Sequence, residues 1–322
     1  WGTFDYIICH GVFSWVPLEV QQKIFSICKD LLSDTGVAYI SYNTYPGWHM
    51  YNMFRGMMQY HAGKMEKLED KIAQAKAIIQ FTALHNLDTA SAYGQFLGDN
   101  IEFMSRLTNE YLFHEYLEQD NHPLYFSQFV EQAATHSLQY LGDTEFHTMT
   151  PLNYPDETKS TLEAISPSIF ELEQYMDFLR CRRFSCSLLV RDHHEIKRNV
   201  SLDPFLELRF RFRAFAESLI EVEPAERPDS PLSDEEHDIN TTLHAISIND
   251  SNIDEQDLTA ADVDLYKHAL ELLNSCYPQS LHFTEIVESC STFLNRPIER
   301  EEQIDLCKLF QSLFIKNLIQ LE

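Results

Sequence analysis

Glycine is scarce in this chain: nine in 322 residues, at positions 2, 11, 36, 47, 56, 63, 94, 98 and 142. Spread so thinly, they make no G-x-G-x-x-G turn, and no Walker-type loop, GxSxG elbow or HExxH motif occurs. Kinase-type and hydrolase readings fall away. Basic residues are few as well. With 24 Lys and Arg against 50 Asp and Glu, the net charge is −26, the wrong sign for phosphate backbones and anionic bilayers. No nucleic acid and no membrane partner is therefore expected. No apolar run approaches the roughly 20 residues that span a bilayer, nor does a signal-peptide pattern open the chain, so a cytoplasmic address is the default expectation. Seven cysteines without a CxxC pair read as buried free thiols in a reducing compartment. Cys181, Cys186, His193 and His194 suggest zinc at first sight. Strand alternation, however, splits Cys181-x4-Cys186 between faces, and no metal is expected.

What is present is an ordinary globular composition, 44% hydrophobic, long enough for two or three domains. Phe4 to His10 is an almost continuous apolar run, the pattern of a strand covered on both faces. Leu18 to Leu32 carries apolar residues at helical spacing, with Gly36 just beyond as a stop. Val37 to Tyr42 is a second short strand, ended by Pro46 and Gly47. Strand, helix and strand in about 40 residues make a parallel βαβ unit. Its two exit loops, Gly11 to Pro17 and Asn43 to His49, then lie on one sheet edge, where ligands of open α/β sheets bind.

Phe13, Trp15, Tyr42, Tyr45 and Trp48 can build an aromatic wall there. His10 and His49 are candidate proton acceptors near neutral pH, or strand-end histidines bonded to backbone. Asn43 either orients a substrate or forms the turn. Tyr45 and Trp48, on a strand-end loop, are expected to matter more to chemistry than to folding.

From Met50 to about His136 the chain reads helical, with Met53, Phe54, Met57, Met58 and His61 on one face, a stripe that is more often core than cofactor contact. Strand character returns at Leu138 to Leu141 and at Phe184 to Val190. A loop with Pro151 and Pro155 follows the first, then a helix from about Ser168 to Leu179. Leu206 to Phe212 alternates strictly, with Arg209, Arg211 and Arg213 on the wet face. The acidic stretch from Glu221 to Asp257 is a linker, expected to fold back loosely over those arginines. Three helices and a short apolar run then close the chain. The last helix is flanked by acids, the wrong sign for a DNA groove, so that region reads as a protein-contact module.

FDYIICHGVFSWVP (4–17) with GVAYISYNTYPGWHMYNMFRGMMQYH (36–61), together with 111–141 and 177–191, resembles bacterial S-adenosylmethionine-dependent methyltransferases that carry a methyltransferase regulatory domain. That group includes protein lysine methyltransferases acting on outer-membrane proteins. The resemblance runs over most of residues 1 to about 200, and NTYPGWH is its most specific string. It implies an α/β plus α fold: residues 1–49 and 137–195 as the C-terminal half of a class I, Rossmann-like methyltransferase sheet, and 50–136 as a helical insertion that begins the regulatory region. After these come a small mixed region at 196–220, the acidic linker at 221–260 and a winged-helix-like domain at 261–322.

It further implies S-adenosylmethionine as cofactor, touched here by Cys9, His10 and Gly11. Catalytic roles fall to His10, Tyr45 and His49, and substrate contacts to Phe13, Trp15, Tyr42, Asn43 and Trp48. The expected partner is a protein substrate, with the helical insertion as a surface for a homodimer. The glycine-rich loop that such enzymes place after their first strand is missing, so the chain looks like a fragment that would bind the cofactor weakly. The other expectation is a non-catalytic interaction module built on half of the same scaffold.

Overall fold

The computed structural model describes residues 2–86, 88–198, 202–212 and 260–321. They fall into two units, Trp1–Thr144 with Ser166–His194 and Glu145–Ile165 with Glu195–Glu322.

The first unit is built on a four-stranded sheet. β1 (Phe4–Cys9) leads through α1 (Leu18–Leu31) to β2 (Leu32–Asn43), and the two strands pair in parallel, Tyr6 beside Val37 through Cys9 beside Ile40. β3 (Leu138–Asp143) and β4 (Phe184–Arg191) complete it in the order β1-β2-β4-β3. β4 runs antiparallel to both its neighbours, so the expected βαβ unit and strands at 138 and 184 are present.

One face of the sheet is a core. Ala38, Ile40 and Tyr42 of β2 are at most 1% exposed. Tyr42 stacks on Phe129 with ring centroids 4.0 Å apart, and Phe13 and Phe25 close the cluster edge-on. Phe129 lies on α6 (Phe126–Ala134). The opposite face differs from expectation. β1 is an edge strand, and its Tyr6 and Ile8 are 76% and 74% exposed. Its apolar run therefore does not mark a strand covered on both faces among the described residues; Tyr6, Ile8, Val37, Tyr39, Leu141 and Leu188 line an open apolar recess of about 560 Å³.

Between β2 and β3 the chain is helical, as expected: α2 (Gly47–Ala62), α3 (Leu68–Leu84), α4 (Ala92–Ser105), then the short α5 (Asn109–Leu112) running into a π-helical turn, Phe113–Leu117. Phe54, Met58, Ile72, Ile79, Leu97, Met104 and Tyr116 form their common core, with Met53 and Met57 packed against it. The methionine and aromatic stripe is thus core. α2 begins at Gly47, so Trp48 and His49 occupy its first turn rather than the expected loop. Pro46 sits at the N-cap with helical φ and ψ, where a proline without an N–H costs nothing.

The second unit contains a helix that the loop reading of 151–165 missed: α7 (Asp156–Ile165), which buries only Leu162 and so shows little periodicity. β5 (Arg209–Phe212) is shorter than the expected strand, because Asp203–Glu207 with Pro204 turns as a 3-10 helix. α9 (Ala260–Cys276), β6 (Leu281–His282), α10 (Phe283–Phe293), α11 (Arg300–Ile315) and β7 (Ile319–Leu321) follow. β5 is the central strand of an antiparallel sheet, β6-β5-β7. Phe210, Phe212, Leu270, Phe283, Ile286 and Phe310 fill its core. The arginine face is partnered within this unit: Arg209 bonds Ser280 and lies 3.4 Å from Glu285, and Arg211 bonds Gln320. Arg213 and the acidic stretch expected to cover the strip lie outside the described residues.

Candidate functional site

The loops leaving β1 and β2 at their carboxyl ends meet, and they are tied to each other through backbone. Gly11 takes φ of +67°, a left-handed conformation natural to glycine, and its N–H donates to Ser41 Oγ at 2.8 Å. Asn43 N donates to Ser14 Oγ at 2.8 Å. Asn43 Nδ2 donates to Asn121 Oδ1 at 2.9 Å, and His122 N to Ser14 O at 2.8 Å. Asn43 is 5% exposed, and its amide is committed to holding the 121–124 segment.

Three aromatic groups stand on this frame. The first surrounds His10. Its Nδ1 lies 2.8 Å from the Tyr39 hydroxyl, which donates to Cys186 Sγ at 3.2 Å. Phe184 meets the His10 ring edge-on at 6.2 Å. Burial pushes the pKa of the Tyr39 hydroxyl and of the Cys186 thiol above their ordinary range, so both stay protonated near neutrality.

The second group is Trp15, Trp48, Tyr51 and His114. Trp48, 4% exposed, meets Trp15 edge-on at 5.9 Å and Tyr51 at 5.6 Å. Trp15 lies 4.3 Å from the His114 ring and 5.7 Å from the Arg55 guanidinium. Arg55 donates to Glu115 O at 2.6 Å and Glu118 O at 2.7 Å, satisfying carbonyls of the π-helical turn, a feature frequent at functional sites. Burial lifts the Glu115 carboxyl above its usual range, against His114, Arg55 and Arg183. Arg183 lies over the Tyr51 ring and donates to its hydroxyl.

The third group is exposed. Tyr45 stacks on His49 at 4.0 Å with planes 14° apart, and His49 Nε2 shares a 3.0 Å hydrogen bond with the Tyr125 hydroxyl. Asn52 Nδ2 donates to the Tyr45 hydroxyl at 3.2 Å. Of the residues expected to share a site, Tyr45 and His49 do so directly, as do Trp15 and Trp48, and His10 stands in a separate group. Phe13 and Tyr42 have no surface to offer, being 0% and 1% exposed. They support the loops from the core.

Behind these loops lies a buried ionic cluster that the sequence did not suggest. α8 (Ile169–Arg180) ends at Cys181 in the left-handed region. Arg182 then bridges Asp143, at 2.6 Å, and Asp177, at 3.5 Å, with side chains 11%, 2% and 1% exposed. This fixes the backbone that holds the β2 exit: Arg183 O accepts from Thr44 N and Arg182 O from Gly47 N, each at 2.9 Å. A Cβ on Gly47 would lie 2.6 Å from both Cys181 O and Arg183 Cβ, so only glycine permits this approach. Arg55, Tyr51, His114, Tyr125 and Arg183 were all missed. Only Tyr51 and Arg55 had a signal, at i+3 and i+7 from Trp48 once a helix starts at Gly47.

Residues 108–191, which include the π-helical turn, Tyr125 and the ionic cluster, match the predicted methyltransferase regulatory domain. An uncharacterised protein of Rickettsia prowazekii is 32% identical over 99% of this chain and 55% of its own length. One from Synechocystis is 25% identical over 64% of this chain and 41% of its own. The structure of PKMT2 from Rickettsia typhi in complex with AdoHcy superposes with a TM-score of 0.74 and 30% identity, covering all of this chain and 58% of that one. The chain's matches cover between 41% and 58% of the length of these relatives. Residues 108–191 thus match a methyltransferase regulatory domain, and the whole chain is similar in fold to part of a structure solved with AdoHcy.

Proposed function

We propose that this chain is the substrate-side and regulatory portion of an S-adenosylmethionine-dependent methyltransferase acting on protein lysine side chains. The observation that carries the reading is the frame of the β1 and β2 exits, an aromatic site on parallel strand ends, combined with the fold shared with PKMT2, a protein lysine methyltransferase by its name, solved with AdoHcy. The β1-β2-β4-β3 order, with an antiparallel end and an open edge at β1, fits one half of a class I sheet that continues beyond β1.

The residues at the end of β1 suit the cofactor in part. Gly11 brings backbone close without a side chain, and His10, Tyr39 and Phe184 offer aromatic faces to a sulfonium, an attraction of about 0.5 to 2 kcal/mol each. When bound, S-adenosylmethionine supplies the methyl group. The chain's own residues would do the rest. Tyr45, His49 and Tyr125 take the acceptor's aliphatic stem and ammonium. The imidazole of His10 or of His49 accepts the proton that leaves the amine, and the half-buried Trp15 packed on the buried Trp48 helps keep water out. The second unit's helices and β6-β5-β7 sheet we read as a winged-helix-like protein-contact module.

The test is transfer of labelled methyl from S-adenosylmethionine by the full-length protein, followed by mass spectrometry of modified residues. Methyl-lysine that disappears in Tyr45→Ala and His49→Ala variants supports the reading. Label on another residue type, or unchanged label in both variants, removes it.

A further inference from the structure

We propose that Asp34, His193 and His194 form a binding site for a divalent transition-metal ion of the zinc, cobalt or nickel class, at the end of the β2–β4 ladder remote from the aromatic site. The pairing that sets Ala38 across from Leu189, continued toward the start of β2, brings Asp34 opposite His193. His193 Nε2 stands 2.9 Å from Asp34 Oδ1. One ring nitrogen of each histidine and one carboxylate oxygen lie within 4.8 Å of one another. Metal bonds of about 2.0 to 2.2 Å put neighbouring ligand atoms roughly 3 to 3.5 Å apart, so an ion that replaces the proton between Asp34 and His193 need open this pair by only a few tenths of an ångström, and the half-buried His194 already offers a ring nitrogen within 4.8 Å of both.

The frame around these groups is fixed. Arg191 Nη2 donates to Leu32 O at 2.5 Å, and Gln139 Nε2 donates to Arg191 O at 2.9 Å and to His194 O at 2.7 Å. His194 Nε2 donates to the Asp34 carbonyl at 2.5 Å. An imidazole whose N–H is held on a carbonyl presents its other nitrogen unprotonated, which is how metal-ligating histidines are commonly oriented. Asp34 and His193 keep 80% and 53% of their side chains exposed, leaving positions for water or a further ligand. Two imidazoles and one carboxylate suit borderline ions over calcium or magnesium. The cysteines once considered with these histidines are elsewhere: Cys186 accepts from Tyr39, and Cys181 contacts Met50. Asp34 is 159 residues from its partner, which is why sequence spacing gave no sign of it.

The experiment titrates cobalt(II) chloride into the metal-stripped full chain in chelator-free buffer, followed by visible absorption and calorimetry, and repeats it with zinc chloride. The expected result is one ion per chain, without thiolate-to-cobalt charge-transfer bands, bound at least about tenfold more weakly by His193→Ala and by Asp34→Asn. Both substitutions are at exposed positions, and circular dichroism checks their fold, with His193→Gln as a second variant. Absence of binding, thiolate bands, or equal binding by wild type and variants, meaning adventitious surface binding only, would overturn the site.

Discussion

Glu173 holds a proton that unfolding releases, and replacing it with glutamine should flatten the pH dependence of the first unit's stability. The residue is 1% exposed on α8. Its Oε2 accepts from the Tyr140 hydroxyl at 2.7 Å, while Oε1 has no hydrogen-bond partner among the described residues. Burial raises its pKa from the ordinary 4.5 to about 8, opposed by the Tyr140 bond and helped by Asp143. A carboxyl raised on folding stabilises fully below its unfolded pKa, and the benefit is lost as the pH rises through the folded value. With those two values the held proton contributes about 3 kcal/mol at pH 5.5 and almost nothing at pH 8.5. Wild type should therefore lose about 3 kcal/mol between those pH values, plus whatever Asp177 adds, since its burial shifts it the same way. Glu173→Gln keeps the shape and the Tyr140 bond while removing the titration. The assay is urea unfolding followed by tryptophan fluorescence, which reports the first unit because Trp1, Trp15 and Trp48 all belong to it. A variant whose slope between pH 5.5 and 8.5 equals that of wild type would show that Glu173 is ionised in the fold, and would refute the reasoning.

Removing the cation of the same cluster is a different perturbation: Arg182→Met takes from the buried Asp143 and Asp177 the cation they share, leaving Asp177 only Arg180 at 3.5 Å and Asp143 the hydrogen bonds from Ser185 and Cys186 N, and should cost about 3 to 5 kcal/mol in the same unfolding assay. A loss under 1 kcal/mol would contradict it. Gly47→Ala forces Arg182 and Arg183 backbone away from the β2 exit and should cost about 1 to 3 kcal/mol, with methyl transfer falling further than stability does, as measured by initial rate on the folded fraction. Trp48→Ala and Tyr45→Ala should separate. The buried Trp48 loses about 3 to 5 kcal/mol of stability. Tyr45, part-exposed, should lose activity with a change in stability near 1 kcal/mol; equal stability effects in the two variants would go against their different burial.

Much of the first unit was legible because its signals are local. Pro46 follows the end of β2, although the strand begins at Leu32 and runs through the expected stop at Gly36; the apolar spacing of α1 matches its buried Phe25 and Cys28, and Ser168 caps α8 through Phe170 N. The misreadings share a cause as well. Pro46-Gly47 reads as a stop, yet the same pair starts α2, and the close approach of the Cys181–Arg183 segment, distant in sequence, explains the glycine. Phe4 to Cys9 reads as doubly covered from its apolar run, since a run reports hydrophobicity and not what packs on it. The strand-end position of 43–49 pointed to Tyr45 and His49, which stack on each other, though His49 does so from the first turn of α2. Phe13 and Tyr42 turned inward instead, because β2 alternation puts Tyr42 on the helix-covered face. Arg182 pairs with Asp143 39 residues away and Asp34 with His193 159 residues away, and no spacing rule reaches that far.

The most direct measurement of the central claim is methyl transfer by the full-length protein to lysine. Protein from a lysate, incubated with the enzyme and isotopically labelled S-adenosylmethionine, is digested and sequenced by mass spectrometry. The account predicts labelled methyl groups on lysine Nζ, reduced at least tenfold by His49→Ala with the fold intact. Tight binding of S-adenosylmethionine without any labelled protein, in the presence of folded wild-type enzyme, would contradict it.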